Sequence, residues 1–246
     1  MTDSKSQLWQ MLAEAQAIVG FTGAGISTES GIPDFRSTDG LWTRFKPIEF
    51  KDFLASPEMR LEAWRRYFAI HDVVVKAKPS RGHMALARLV ASGHMRSVIT
   101  QNIDNLHQAS GIEPEKIIEL HGNGSYAHCL SCGAREELAD VRAYIDSHAI
   151  APDCAACGGI IKSATISFGQ SMPEWEMQRA REAIANADLM IALGSSLVVQ
   201  PAAHFTLTAK RYGAKLIIIN REATGYDAYA DLVIHADIGD MLENIG

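Results

Sequence analysis

Short, nearly unbroken apolar runs punctuate this chain, each bounded by polar or glycine-rich turns. Ile18-Val19-Gly20-Phe21-Thr22, Ser97-Val98-Ile99-Thr100, Lys116-Ile117-Ile118-Glu119-Leu120, Leu189-Met190-Ile191-Ala192-Leu193 and Leu216-Ile217-Ile218-Ile219-Asn220 each read as a buried strand. Leu232-Val233-Ile234-His235 is a weaker sixth. Runs that are apolar throughout, rather than on alternate residues, belong to a parallel sheet covered on both faces. Helical periodicity fills the gaps over residues 4–17, 57–75, 81–92, 173–186 and 202–212. Strand and helix in alternation predict an α/β fold with a doubly wound, Rossmann-like parallel sheet. Such sheets bind ligands at the carboxyl ends of their strands, so the residues just after each strand matter most.

Two stretches break the rhythm. Residues 37–80 carry aromatics, Pro47 and Pro57, with helical periodicity and no clear strand. Residues 124–165 hold all four cysteines and several glycines. Both are expected to be insertions in a single domain spanning residues 1–246, a helical module and a metal module that together build a smaller lobe.

Composition narrows the class. The chain has 246 residues, 47% hydrophobic and 21% charged, with a formal net charge of −6. These values exclude disorder, collagen and a disulfide scaffold. No apolar run reaches the ~18 residues of a membrane span. Met1-Thr2-Asp3-Ser4-Lys5 is polar and lacks the apolar core of a signal peptide, which points to the cytoplasm. An acidic balance tells against nucleic-acid binding, whose affinity rests on phosphate neutralisation. It suits a basic partner such as a lysine-bearing peptide.

The first strand runs into Gly23-Ala24-Gly25-Ile26-Ser27-Thr28. A glycine loop at that position brings backbone N–H groups close to a pyrophosphate. A tight turn needing glycine would leave the same trace. Thr28 replaces the third glycine of the dinucleotide fingerprint, and no acidic residue ends a second strand about 20 residues on. Both departures tell against a hydride-transferring dehydrogenase.

The cysteines form Cys129-x-x-Cys132 and Cys154-x-x-Cys157, separated by 21 residues. Paired knuckles of this kind supply four thiolates at tetrahedral spacing, so one zinc ion is the expected ligand. Disulfides and a redox C-x-x-C are the rivals; the first suits secreted chains and the second does not predict two copies. Four thiolates leave zinc no open position, so its role should be structural. Metallation would take the formal charge from −6 to −8.

Further motifs sit where strand ends are expected: Gly31-Ile32-Pro33-Asp34-Phe35-Arg36, Thr100-Gln101-Asn102-Ile103-Asp104, His121-Gly122 and Gly194-Ser195-Ser196. In this order they closely resemble the sirtuins, NAD-dependent protein-lysine deacylases. The resemblance runs from about Ala17 to Ile238. It implies that NAD lies against Gly23, Ala24, Gly25, Thr28, Asp34, Phe35 and Arg36. Gly194, Ser195, Ser196, Asn220, Asp237 and Ile238 would surround the phosphates and adenosine. Gln101, Asn102, Ile103 and Asp104 resemble the pocket for the nicotinamide ring, although Asn102 and Asp104 taken alone read as helix caps. His121 and Asn102 would be catalytic, with His121 as the base, since an imidazole titrates near neutrality and accepts a proton from a ribose hydroxyl.

The resemblance also implies the reaction. The acyl-lysine carbonyl oxygen attacks C1′ of the nicotinamide ribose and nicotinamide leaves. His121 then deprotonates a ribose hydroxyl, which attacks the resulting imidate. NAD is consumed, and the products are free lysine, nicotinamide and O-acyl-ADP-ribose. Ile166, Phe168 and Gly169 resemble the edge that pairs with the substrate peptide, a contact made by backbone hydrogen bonds that read little sequence. Ile166 and Phe168 would line the acyl-lysine tunnel; a plain core aromatic is the rival reading of Phe168. Lys162-Ser163 stands where Arg-Pro is usual in the family, and Gln170 where Glu is usual. Tyr67 falls, counting back from Lys78-Pro79, at the tyrosine of a Tyr-x-x-Arg pair found in sirtuins that prefer acidic acyl chains. Ile70 takes the arginine's place, which implies a neutral acyl group, acetyl first. A mono-ADP-ribosyltransferase or NAD hydrolase, and a non-catalytic NAD or acyl-lysine sensor, are the rival readings.

Overall fold

The computed structural model describes residues 2–34 and 46–243. Six parallel strands form the main sheet: β1 (Ile18–Thr22), β2 (Met95–Thr100), β3 (Ile117–Glu119), β7 (Leu189–Leu193), β8 (Lys215–Ile219) and β9 (Leu232–Ile234). Their order is β3-β2-β1-β7-β8-β9. Each of the expected strands is there, with ends shifted by one or two residues. Leu120, Asn220 and His235 lie just past the ladder, and β2 begins earlier, at Met95.

Every residue of β1 and β7 is buried, and alternate residues feed opposite faces. Ile18, Leu189, Ile191 and Leu193 join one core with Leu8 and Leu12 of the helix Thr2–Glu14 and Leu86 and Leu89 of the helix Arg81–Ala91. Val19, Phe21, Met190 and Ala192 join the other, against Ala180 and Ile184 of Glu174–Ala185 and Phe205 and Ala209 of His204–Arg211. Two-sided burial explains why these strands show no polar alternation.

A smaller antiparallel sheet has the order β5-β4-β6, built from β4 (Gly122–Cys129), β5 (Arg135–Glu136) and β6 (Ile161–Thr165). It was not expected as a sheet. The helix Pro57–Val74 starts at Ser56, whose hydroxyl accepts from Met59 N–H at 3.1 Å, with Pro57 in the first turn where its missing N–H costs nothing. Its Trp64 and Phe68 share one core with Ala127, Cys129 and Ile161 of the small sheet and with Leu138, Val141 and Ile145 of the helix Leu138–His148. The smaller lobe thus joins the helical segment to the cysteine-bearing segment. Among the described residues no helix is long and apolar enough to cross a membrane.

Candidate active site

The main sheet reverses direction of winding between β1 and β7, and a crevice opens at their carboxyl ends, where such sheets bind ligands. The two loops there touch backbone to backbone. Gly23 N–H donates to Leu193 C=O at 3.0 Å and Gly25 N–H to Gly194 C=O at 2.8 Å. A Cβ on Gly25 would meet Gly194 Cα at 2.6 Å, and one on Gly194 would meet Ile26 N at 2.4 Å. The glycines are therefore demanded by loop-to-loop contact as well as by any ligand. A short 3₁₀ helix, Ala24–Ser30, follows the first loop.

The crevice is part of a cavity of about 560 Å³ running between the lobes. Gly23, Ala24, Gly25, Thr28 and Asp34 line it from β1's side, and Gln101, Asn102, Ile103 and Asp104 from the end of β2. Gly194, Ser195, Ser196, Asn220, Asp237 and Ile238 line it from β7, β8 and beyond. His121, Ile166, Phe168 and Gly169 complete the wall toward the smaller lobe. Tyr67 is not on that wall. Phe35 and Arg36 fall outside the described residues. Sequence reasoning gave no role to Ile32, Val74, Met172, Arg221 or Glu222, all of which line the cavity; Ile32 was quoted only as part of the Gly31–Arg36 motif.

Hydrogen bonds fix the polar groups. Gln101 Nε2 donates to Ser195 Oγ at 2.9 Å, tying the β2 loop to the β7 loop. Asn102 is 9% exposed and its amide donates to Gly23 C=O at 3.1 Å and Ser27 Oγ at 3.3 Å. Ser27 in turn donates to Asp104 Oδ2 at 2.6 Å. Asp104, one residue before the N-cap, Asn105, of the helix Leu106–Ala109, accepts from Leu106 N–H at 3.0 Å through Oδ1 while also facing the cavity. Asp237 pairs with Arg221 through Nε at 2.7 Å and through Nη2. Asn220 Nδ2 is engaged by Glu222 C=O at 2.7 Å.

His121 is held by the backbone. Its Nδ1 lies 3.0 Å from Gln101 C=O, which requires the proton on Nδ1 and leaves the basic lone pair on Nε2. Its own carbonyl accepts from Ile166 N–H at 2.8 Å. His121 and the candidate peptide edge are therefore joined by a direct backbone hydrogen bond. Phe168 is 39% exposed, so it is no core aromatic, and its carbonyl accepts from Phe50 N–H at 2.8 Å. Gln170 Oε1 accepts from Ser167 N–H at 3.1 Å, stiffening the same loop. Lys162 is buried, with Nζ donating to the carbonyls of Ser163 and Thr165, and burial pushes its ammonium down to about 8.

The four cysteines lie together in the smaller lobe, off the cavity wall. Their sulfurs are all within 4.8 Å of one another. Cys129 Sγ is 3.5 Å from Cys157 Sγ, and Cys132 Sγ is 3.7 Å from Cys154 Sγ. Those separations are too long for disulfides. They match the edge of a tetrahedron with zinc–sulfur bonds of ~2.3 Å, about 3.8 Å. The donor set fits one structural zinc.

A doubly wound sheet with a loop-lined crevice, a positioned histidine and a tetrathiolate lobe defines an α/β protein built to hold a dinucleotide beside a second substrate. The chain belongs to the Sir2 family, whose model matches residues 23–201. It is 55% identical over 242 residues to an NAD-dependent protein deacetylase of Rhodopseudomonas palustris, covering 98% of this chain and 96% of the relative. It is 58% identical to NAD-dependent protein deacetylase 1 of Bradyrhizobium diazoefficiens over 236 residues, 96% of this chain and 92% of that one. A solved Sir2 structure with a p53 peptide and NAD⁺ superposes with a TM-score of 0.87 at 35% identity, covering 97% of this chain and 95% of that chain. Sir2Tm bound to a propionylated peptide gives 0.86 at 35% identity, covering 98% and 96%.

Proposed function

We propose that this protein is an NAD-dependent protein-lysine deacylase acting chiefly on acetyl-lysine. The observation that carries the reading is the direct backbone hydrogen bond joining His121 to the Ile166–Gly169 edge, at the mouth of a dinucleotide crevice. The named relatives point the same way. NAD supplies a C1′–nicotinamide bond that breaks during the reaction, so it is a co-substrate.

The chain's own residues do the rest. With the Gly23, Gly25 and Gly194 N–H groups donating to backbone carbonyls, it is Ala24, Ser195 and Ser196 that offer backbone N–H groups, with two serine hydroxyls, to a pyrophosphate. Asp104 has acceptor capacity left after Ser27 and Leu106, enough for a carboxamide NH₂. The Asn102 amide nitrogen donates to Gly23 and Ser27, so part of its role is to hold the loop after β1 against the loop after β2. His121 takes the proton of a ribose hydroxyl at Nε2, with Gln101 C=O stabilising the ring at Nδ1. Ile166 and Phe168 guide the acyl-lysine past Ile70 and Val74. Zinc, held by Cys129, Cys132, Cys154 and Cys157, braces the smaller lobe.

The test is incubation with NAD and an acetylated peptide. Nicotinamide release that needs the peptide supports deacylation. Release without peptide indicates an NAD hydrolase or ADP-ribosyltransferase, and no release indicates a sensor. Residence in the cytoplasm is part of the same reading, checked by fractionating cells.

A further inference from the structure

Tyr67 lies on the helix Pro57–Val74, three residues before Ile70 and seven before Val74, both of which line the cavity. Tyr67 itself is not part of the cavity wall. It meets Trp64 edge-on at 5.5 Å and stacks on His71 at 5.7 Å, packed against the core of the smaller lobe. Burial raises its phenol above the usual range, so the hydroxyl keeps its proton. That proton is donated to Gly124 C=O.

Gly124 is the link. The β4–β6 register breaks between Gly122 and Ala127. Gly124 N–H, turned from the ladder, donates to Ile103 C=O at 2.9 Å. The two chains touch so closely there that a Cβ on Gly124 would sit 2.4 Å from Ile103 O. Ile103 lies between Asn102 and Asp104 on the cavity wall. An unbroken path therefore runs from a helix of the smaller lobe, through a single residue of β4, to the loop at the end of β2.

We infer that Tyr67 is a positioning residue for the Asn102–Asp104 loop, acting through Gly124, and is not a contact for the acyl chain. The inference rests on reading that loop as the nicotinamide pocket. A hydroxyl already committed to a backbone carbonyl has no proton left for a substrate. Removing it frees Gly124 to shift, and Ile103 C=O moves with the N–H that anchors it. The loss falls on whatever binds beside Ile103 and Asp104.

Tyr67→Phe keeps the ring and its packing, so the variant should fold and retain zinc. The affinity for NAD, measured by calorimetry without peptide, should weaken about three- to tenfold, the effect of one lost hydrogen bond. The inhibition constant for free nicotinamide should rise by a similar factor. The KM for peptide should stay within about twofold of wild type, equally for acetyl- and butyryl-lysine. A peptide KM that changes with acyl length, with nicotinamide inhibition unchanged, would make Tyr67 an acyl contact and overturn the inference. Unchanged values throughout would overturn it too, by showing the bond idle. Should wild-type protein fail to deacylate any peptide, the enzymatic reading falls, while calorimetry with NAD still reads the loop.

Discussion

His121 differs from the other histidines in lining the cavity itself, and its Nδ1, tied to Gln101 C=O at 3.0 Å, sets its tautomer. His83 and His107 are buried under the same loops and cannot reach a substrate. The expected outcome of His121→Ala is loss of turnover by at least ~100-fold, the scale of general-base catalysis, with NAD affinity within a few-fold of wild type. Steady-state deacylation and calorimetry check it; unchanged deacylation would remove His121 from the mechanism. Ile70 decides a different question. It lines the cavity beside Val74 and offers no charge, and burying an unpaired carboxylate costs several kcal/mol or forces its protonation. On one peptide, kcat/KM for acetyl- and butyryl-lysine should exceed that for succinyl-lysine by at least tenfold. Succinyl matching acetyl would mean that a cation reaches the pocket. Both residues were legible in the sequence, His121 from its place after a strand and Ile70 from resemblance. Tyr67 was legible only as a position, because nothing local says which way a helical side chain turns.

The strands that pack on both faces announced themselves, since burial leaves no room for polar residues. The small sheet did not. Gly122–Cys129 reads Gly-Asn-Gly-Ser-Tyr-Ala-His-Cys, with only Gly124, Ala127 and Cys129 buried, so its periodicity is lost among glycines and polar residues. What organises it is the cysteine cluster and the Trp64–Phe68 face that covers it. The metal and that core should stabilise one another, since binding energy at such a site is also folding energy. Cys154→Ser removes one thiolate from the four, and the protein should lose its zinc together with several kcal/mol of stability. Metal content and the unfolding midpoint check this. A well-folded, zinc-free Cys154→Ser protein of normal activity would show the cluster to be dispensable.

At the scale of the molecule, the site exists because the sheet changes winding direction at β1 and β7 and the smaller lobe roofs the opening. Strand order is not written in any one run of residues; it follows from which apolar faces meet across long intervals. That is why the loop motifs could be located in the sequence but their mutual contacts, Gly25 on Gly194 and Gln101 on Ser195, could not. The same assembly buries two histidines beneath the loops. His83 and His107 have ring centroids 4.8 Å apart, and His107 Nε2 is bonded to Thr22 Oγ1 at 2.8 Å at the end of β1. Burial pushes His83 down to about 4 despite the opposing pull of Asp104 and Glu29. Burial, with His83 nearby, pushes His107 well below its usual range. Unfolded, both take up protons near pH 6.5. Below that pH the unfolded chain therefore binds more protons than the folded one, and stability falls as pH drops from about 6.5 toward 4, by up to ~1.4 kcal/mol per pH unit for each histidine. Denaturant midpoints measured between pH 7.5 and 5 should show this slope, and His107→Asn should flatten it. Zinc content followed at each pH separates the effect from protonation of the cysteine ligands. A slope unchanged in His107→Asn, with zinc retained, would mean that some other group carries the acid sensitivity.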